Sequence, residues 1–152
     1  MEPTGTPIEA EVVGSAVVEY AGFWRRVGAA LIDGFLIGVV GLIIQVVLAG
    51  PASFSLGQEP TALENLLSVI VFLGYFSWME SGAHQATIGK QALKIKVTGI
   101  NGERITPQRA LVRTVSKYLS GFILLIGYLM VLFTEKKQAL HDIIAKTLVV
   151  RK

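Results

Sequence analysis

The sequence predicts an all-α membrane protein: a small bundle of about three hydrophobic helical segments with a short cytoplasmic β-hairpin. The first observation is composition, since 52% of the 152 residues are hydrophobic and only 16% are charged. Soluble domains carry about 25% charged residues. The second observation is distribution, because the apolar residues fall in long uncharged runs separated by short polar stretches. Together they favour burial in lipid over a water-soluble core.

The first helical segment is predicted at about residues 24–49. Val27 to Ala49 carries one charge, Asp33. At about 1.5 Å per residue this run is long enough to cross a hydrocarbon core of about 30 Å. Phe23 and Trp24 precede it, where interfacial aromatic residues are common. The run therefore predicts a membrane-spanning helix with one intramembrane carboxylate.

The second helical segment is predicted at about residues 61–79. Thr61 is followed three positions later by Glu64. This spacing is typical of a capping box, in which each side chain bonds the free backbone N–H of the other residue. The run from Leu66 to Met79 is uncharged and close to the length that a span requires.

At about residues 91–106 the pattern of apolar and polar residues differs from that of the helical segments and predicts a surface β-hairpin. Apolar and polar side chains alternate along this stretch with a period of two, which is typical of a strand: Leu93, Lys94, Ile95, Lys96, Val97 and Thr98. Asn101-Gly102 is a turn signal, and residues 104–106 are predicted as the returning strand.

The third helical region is predicted at about residues 107–134. Arg109, Arg113 and Lys117 are spaced to share one helix face. The uncharged run that follows, Tyr118 to Phe133, is short for a complete span. Two interpretations stay open: the region crosses once, or it breaks near Gly121 and returns as a re-entrant hairpin.

The distribution of basic residues predicts the orientation, because Lys and Arg collect in cytoplasmic loops. Residues 50–60 contain none, whereas residues 80–109, the C-terminal tail and the flank at Arg25 and Arg26 contain several. We therefore expect a multi-pass protein of the bacterial cytoplasmic membrane with a cytoplasmic N-terminus. A basic cytoplasmic tail favours the returning form of the third region.

Several functional classes lack support in the sequence. There is no cysteine, and His84 and His141 show no metal-ligand spacing, so we expect neither a metal site nor a cofactor. No catalytic constellation is present, which predicts that the protein is not an enzyme. The sequence has no basic surface interleaved with aromatic residues, so it gives no support for nucleic-acid binding. Residues 1–19 contain acidic residues, Pro and Gly, and are predicted to form a flexible tail.

Asp33 is the most informative residue, because a carboxylate within an apolar helix usually pairs with another group or marks an ion path. Arg26 shares nearly the same helix face, but the two side chains tilt in a way that disfavours a direct bond. Each therefore needs a partner from another segment. Arg113 or Lys117 is the candidate partner for Asp33. Asp142, which His141 precedes, is the candidate partner for Arg26.

Three motifs resemble the RDD family of bacterial membrane proteins: YAGFWRRVGAALID at 20–33, TIGKQALKIKV at 87–97, and QALHDIIAKTLVV at 138–150. The resemblance covers about residues 20–150 and implies a single transmembrane domain. The family is named for one arginine and two aspartates, which here are Arg26, Asp33 and Asp142. Ile88 stands where the family more often has proline, and Lys146 where glycine is more usual.

For some members of the family, transport is proposed, including sodium–proton exchange. One hypothesis is accordingly a small transporter subunit for cations or protons that uses Asp33. Three apolar segments are too few to enclose an ion path, so a transporter of this kind would need a homo-oligomer or another membrane protein. The alternative is a non-transporting scaffold or accessory subunit, in which Arg26, Asp33 and Asp142 form a structural clamp. The lipid bilayer is a partner in both.

Overall fold

The computed structural model describes residues 10–13, 16–51, 59–122 and 126–152. In chain order the elements are β1 (Ala10–Val13), β2 (Ala16–Glu19), α1 (Phe23–Ala49), α2 (Ala62–Ser81), α3 (Ile88–Ala92), β3 (Ile95–Gly99), α4 (Pro107–Phe122), α5 (Ile126–Leu129), a 3₁₀ turn (Met130–Leu132), α6 (Leu140–Ile144) and β4 (Thr147–Arg151).

Within the described ranges, α1 and α2 are the two helices that are long and apolar enough to cross a membrane. Their most apolar stretches have mean hydropathies of 2.5 and 1.5, and only 6% of each stretch is buried inside the protein. Phe35 and Val47 are 73% and 74% exposed. A soluble protein would bury helices of this composition, so lipid is the environment that suits them.

The bounds of both long helices agree closely with the predicted segments at 24–49 and 61–79. The predicted capping box at the start of α2 is confirmed. The backbone N–H of Thr61 donates to Glu64 Oε2 at 2.6 Å, and the N–H of Glu64 donates to Thr61 Oγ1 at 3.4 Å. These bonds satisfy two backbone donors that the first helical turn leaves free.

The predicted hairpin at about 91–106 is wrong. β3 pairs in an antiparallel manner with β4, from Ile95 opposite Arg151 to Gly99 opposite Thr147. Residues 104–106 instead turn towards α4, and the Arg104 Nε donates to the Ser81 carbonyl at 2.5 Å. The C-terminal strand offers a continuous buried run that residues 104–106 lack. It therefore supplies the better partner for the apolar face of β3.

The β3–β4 sheet, α3 and α6 form a polar cap at one end of the two long helices. Its small core contains Ile95, Val97 and Val149, all fully buried. The backbone N–H of Ala21 donates to the Val149 carbonyl at 2.8 Å, which fastens the start of α1 to the sheet. Because α1 begins and α2 ends here, the cap meets both helices at the same end.

α4 runs antiparallel to α2, and the chain then returns to the polar cap. Along α2, Glu80 contacts Arg113, and Phe72 lies 5.6 Å from Tyr118 between ring centroids. Beyond α4, the Tyr128 hydroxyl donates to the Lys117 carbonyl at 3.3 Å. The pairing of β4 with β3 completes the return. This course supports the returning interpretation of the third region.

The single helical region predicted at 107–134 is divided in the structure. α4 ends at Phe122, and α5 begins at Ile126. Gly121, the predicted break, lies inside α4, and residues 123–125 are outside the described residues. The prediction of a third long hydrophobic helix is therefore not confirmed. The basic residues of α4 make its average composition too polar for an independent span.

The predicted flexible tail at residues 1–19 needs correction for its described part. β1 and β2 pair in an antiparallel manner, and Tyr20 bridges Val150 of the polar cap. Glu19 also forms an ion pair with Arg151. Residues 1–9 and 14–15 lie outside the described residues. The apolar β-branched residues near 12–18 give this stretch a strand propensity that its acidic composition obscured.

Candidate functional site

Asp142, in the first turn of α6, is the centre of a buried ionic cluster. Its carboxylate is fully buried and contacts two guanidinium groups. Arg26 Nη1 lies 2.5 Å from Oδ2, and Arg113 Nη2 lies 2.6 Å from Oδ1. The backbone N–H of Ala139 also donates to Oδ2 at 3.1 Å. One carboxylate thus joins α1, α4 and the C-terminal segment, including the predicted contact between Arg26 and Asp142.

Arg26 is itself held in a defined position. Its Nε donates to the Ala21 carbonyl at 3.0 Å, and its Nη2 donates to the Lys137 carbonyl at 2.5 Å. With the Asp142 bond, all three guanidinium nitrogens have partners. Such a planar fork loses little freedom for each bond that it makes. The arrangement is suited to fixing the entry of α1 against the returning segment.

Glu80, at the end of α2, is the second buried carboxylate of the cluster. Arg113 Nη1 lies 2.8 Å from its Oε2, so Arg113 bridges Glu80 and Asp142. Lys90 of α3 forms an ion pair with Oε1, and Lys117 Nζ lies 3.4 Å from the same oxygen. A single arginine therefore connects α2 to α6, and a single glutamate connects α2 to α3 and α4.

Glu80 and Lys90 are members of the buried ionic cluster that the sequence prediction missed. Glu80 directly follows the uncharged run of α2, which is the kind of position that made Asp33 informative. That signal was available. Lys90 offered none, because it lies in the polar stretch just before the predicted hairpin, where basic residues are expected to be exposed. Its burial follows from the short helix α3, which no periodic pattern indicated.

Asp33 lies apart from these ion pairs, and the predicted pairing with Arg113 or Lys117 is wrong. Its Oδ1 accepts hydrogen bonds from the Tyr75 hydroxyl and from the Gly89 backbone N–H, both at 2.8 Å. Its Oδ2 accepts from the Thr87 hydroxyl at 2.5 Å. Arg113 and Lys117 instead contact Glu80. Asp33 therefore fastens α1 to α2 and α3 through neutral donors.

Gly89 allows this close approach of α3 to α1. A Cβ atom at this position would lie 2.2 Å from the Ala29 carbonyl oxygen and 2.9 Å from Asp33 Cγ. No side chain can occupy that space without moving one of the two helices. The Thr87 hydroxyl also accepts the Lys90 backbone N–H at 3.4 Å, which caps α3. The short helix is thus shaped to present donors to Asp33.

His141 is buried beside the cluster and has no charge role in it. Its Nε2 lies 3.5 Å from Asp142 Oδ1, and its ring lies 5.2 Å from that of Tyr128 between centroids. Its Nδ1 has no hydrogen-bond partner among the described residues. Burial lowers the pKa of His141 to about 3 despite the neighbouring Asp142 carboxylate. The imidazole is therefore neutral at physiological pH.

The cluster also shifts the pKa values of its charged members in the polar cap. Burial alone would raise the pKa of Asp142, but the Arg113 and Arg26 guanidiniums outweigh it and hold the pKa well below its ordinary value. Burial lowers the pKa of Lys90 to about 7, although the Glu80 carboxylate opposes this shift. Asp142 is therefore a permanent anion, whereas Lys90 is close to the balance between charged and neutral forms.

A cavity of about 850 Å³ adjoins the cluster between α1, α2 and α4. Asp33, Lys90, Arg113 and Lys117 lie at its polar end. Apolar side chains such as Ile37 form the rest of its wall. Among the described residues, no group of three His, Asp or Glu side chains is placed to hold a metal ion. The cavity therefore offers cations and apolar surface rather than a metal-ligand set.

Two exposed apolar helices that are long enough to cross a membrane, joined by a buried ionic cluster at one end, are typical of a small helical membrane protein. The chain belongs to the RDD family, whose family model matches residues 20–146. The match agrees with the three motifs that carried the resemblance. The assignment of Arg26, Asp33 and Asp142 as the family's one arginine and two aspartates stays a prediction from the motif resemblance.

Three proteins of Bacillus subtilis strain 168 are similar to this chain. YxaI, described as an uncharacterized protein, is 34% identical over 151 residues, covering 87% of this chain and 97% of YxaI. YteJ, described as an uncharacterized membrane protein, is 33% identical over 150 residues, covering 95% and 87%. YckC, also described as uncharacterized, is 27% identical over 134 residues, covering 85% and 83%. No solved structure matches the chain.

Proposed function

We propose that the protein is a non-enzymatic, non-transporting membrane scaffold or accessory subunit. Arg26, Asp33 and Asp142 act in it as a structural clamp that fastens the polar cap to α1 and α2. Its partners are the lipid bilayer and either further copies of itself or another membrane protein, reached through the exposed apolar faces of the two helices. Nucleic acid is not a partner.

The observation that carries this proposal is the complete engagement of the three charged side chains. Asp33 receives three hydrogen bonds from α2 and α3, and Arg26 donates to three acceptors. Asp142 holds two guanidiniums and a backbone N–H. An ion-carrying carboxylate has to exchange its ligands during a cycle. Groups bound from four elements of the fold are better suited to a fixed junction.

We further propose that the polar cap and both termini lie on the cytoplasmic side of the bacterial membrane, with residues 50–60 outside. The absence of Lys and Arg from residues 50–60 supports this orientation, as does the return of the chain to pair β4 with β3. It makes the protein multi-pass, with α1 and α2 as its spans.

Cysteine labelling tests this topology without background substitutions, because the chain has no cysteine. We expect an impermeant maleimide on intact cells to label Glu59→Cys only. Asn101→Cys and Lys152→Cys should react only after lysis. Glu59 and Asn101 are exposed positions in the structure, so both are accessible to the reagent. Labelling of Lys152→Cys from outside would mean that the third region crosses the membrane.

Transport of cations or protons remains a second candidate, because Asp33 lines the cavity beside α1. A carboxylate that borders an open space within the apolar zone can bind a cation or a proton. The cavity is open on one side, so a complete path needs a second copy or another subunit. This candidate predicts that the Asp33 carboxylate, and not merely its hydrogen bonds, is required for activity.

The Asp33→Asn variant distinguishes the two candidates. For a scaffold, we expect it to lose about 1–3 kcal/mol of stability in detergent, because the amide nitrogen cannot accept the bond that the Thr87 hydroxyl donates and a neutral oxygen accepts less strongly than a carboxylate. Proton-coupled flux of sodium or potassium into liposomes should equal that of protein-free liposomes for both forms. Flux by the unsubstituted protein that Asp33→Asn abolishes, with the fold retained, would refute the scaffold and support transport.

A further inference from the structure

We propose that the cavity between α1, α2 and α4 holds one anionic phospholipid of the bilayer, with its headgroup at Lys117 and one acyl chain beside Gly34 and Ile37. The proposal goes beyond the clamp, which explains the ion pairs but not the open space next to them. It rests on the shape of the cavity, on the balance of charge at its polar end, and on its position along α1.

The cavity has the shape of an amphiphile. Its volume of about 850 Å³ is within the range of roughly 300–1,000 Å³ usual for small-molecule sites. Its lining extends along α1 from Phe23 to Ile37, which is about 21 Å at the helical rise and close to half of a bilayer of about 40–45 Å that includes the headgroups. Its polar end adjoins the polar cap, and its apolar end is flanked by side chains such as Phe72. The polarity gradient therefore follows that of a lipid.

The glycine at position 34 keeps the apolar part of the cavity open. Gly34 lines the cavity, and a Cβ atom added there would meet no heavy atom within 4 Å. The space directly beside Gly34 is therefore unfilled by the described residues. A flexible acyl chain can fill such a space without any movement of the helices.

The polar end of the cavity carries more positive than negative charge. Among the residues that the structure describes, Arg26, Lys90, Arg113 and Lys117 contact two carboxylates, those of Glu80 and Asp142. The remaining acid, Asp33, is hydrogen-bonded to neutral donors. With the Asp33 carboxylate counted, the four cations exceed the three carboxylates by one positive charge in a desolvated place. An anion close to it would be strongly favoured.

Lys117 is the member of the cluster that is most available to such an anion. Its distance of 3.4 Å from Glu80 Oε1 is the longest of the four cations, and it shares that oxygen with Lys90. Its Nζ lies 3.9 Å from the centroid of the Phe76 ring, at the boundary between the charged and apolar walls. A headgroup phosphate at this point would bond Lys117 while its acyl chain followed the apolar wall.

Native mass spectrometry of the full chain tests the proposal. The protein is purified in a mild detergent and mixed with equal amounts of phosphatidylglycerol and phosphatidylcholine. We expect an adduct of one lipid, with phosphatidylglycerol preferred. Lys117→Gln should reduce that preference by about fivefold, the usual contribution of one basic residue to anionic lipid binding. Arg109→Gln is the matched control, since its exposed side chain lies outside the cavity and should leave the preference unchanged.

A second variant tests the acyl-chain half of the site independently. A Cβ at position 34 meets no heavy atom within 4 Å, so we expect Gly34→Leu to fold, to occupy the apolar part of the cavity and to lose the one-lipid adduct. Gel filtration of each variant checks the fold. Equal binding of both lipids by the unsubstituted protein would overturn the proposal. A phosphatidylglycerol preference that survives Gly34→Leu would also overturn it. An equal fall of that preference in Lys117→Gln and Arg109→Gln would overturn it as well, because it would indicate surface attraction only.

Discussion

Replacement of Arg113 by methionine is expected to destabilise the protein by about 3–5 kcal/mol and to lower its melting temperature strongly. Arg113 joins the two fully buried carboxylates of Glu80 and Asp142, and methionine would leave both with fewer counter-charges. The loss of a charge partner in a desolvated place costs more than the bond itself contributes. Thermal unfolding in mild detergent, followed by gel filtration, measures the effect.

The matched control for this variant is Arg109→Met, one turn earlier on α4. Arg109 also forms an ion pair, with Glu103 at 3.0 Å, but both side chains are more than 40% exposed. Exposed pairs contribute about 0–1 kcal/mol, so this variant should unfold close to the unsubstituted protein. Similar melting temperatures for the two variants would show that the Arg113 bridge is not a main source of stability.

Replacement of Gly89 by alanine is expected to have the next largest effect, a loss of about 3 kcal/mol. The added Cβ would lie 2.2 Å from a backbone carbonyl of α1, so α3 has to move away. That movement stretches the hydrogen bonds from the Gly89 N–H and the Thr87 hydroxyl to Asp33, whose carboxylate is buried. The same unfolding measurement in detergent reports the loss.

Gly38→Ala is the control for the glycine substitution. Gly38 lies on the same face of α1 as Gly34, four residues earlier. A Cβ atom added at Gly38 would meet no heavy atom within 4 Å. Alanine favours a helix over glycine by about 1 kcal/mol, so stability should stay the same or rise slightly. A loss of stability in Gly38→Ala comparable to that in Gly89→Ala would contradict the assignment of the close contact to Gly89.

The long helices of the fold could be predicted because their signals are local. A single apolar run with one charge, Asp33, defines α1, and the spacing of Thr61 and Glu64 marks the first turn of α2. The pairing of β3 with β4 could not be predicted in the same way. Its two strands are separated by the whole of α4 and the returning segment, whereas Asn101-Gly102 offered a turn immediately after β3. The local signal indicated the wrong partner.

The candidate site was partly predictable for a similar reason. Arg26 and Asp142 were paired in the prediction because both were expected at the cytoplasmic interface, and the structure places them in contact. Asp33 was assigned a cationic partner, because charged residues can be recognised in a sequence as candidate partners for a carboxylate. Its actual donors are two hydroxyls and a backbone N–H, which no charge pattern reveals. Only the close approach permitted at Gly89 brings them together.

A double-mutant cycle on Arg26 and Asp142 tests the clamp most directly. The free energy of unfolding in detergent is measured for Arg26→Ala, for Asp142→Ala and for the double variant. Because the two side chains contact each other at 2.5 Å, the account predicts that the double variant loses about 1–3 kcal/mol less than the sum of the single losses. Single losses that add fully would show that the two residues are not coupled, and would contradict the clamp.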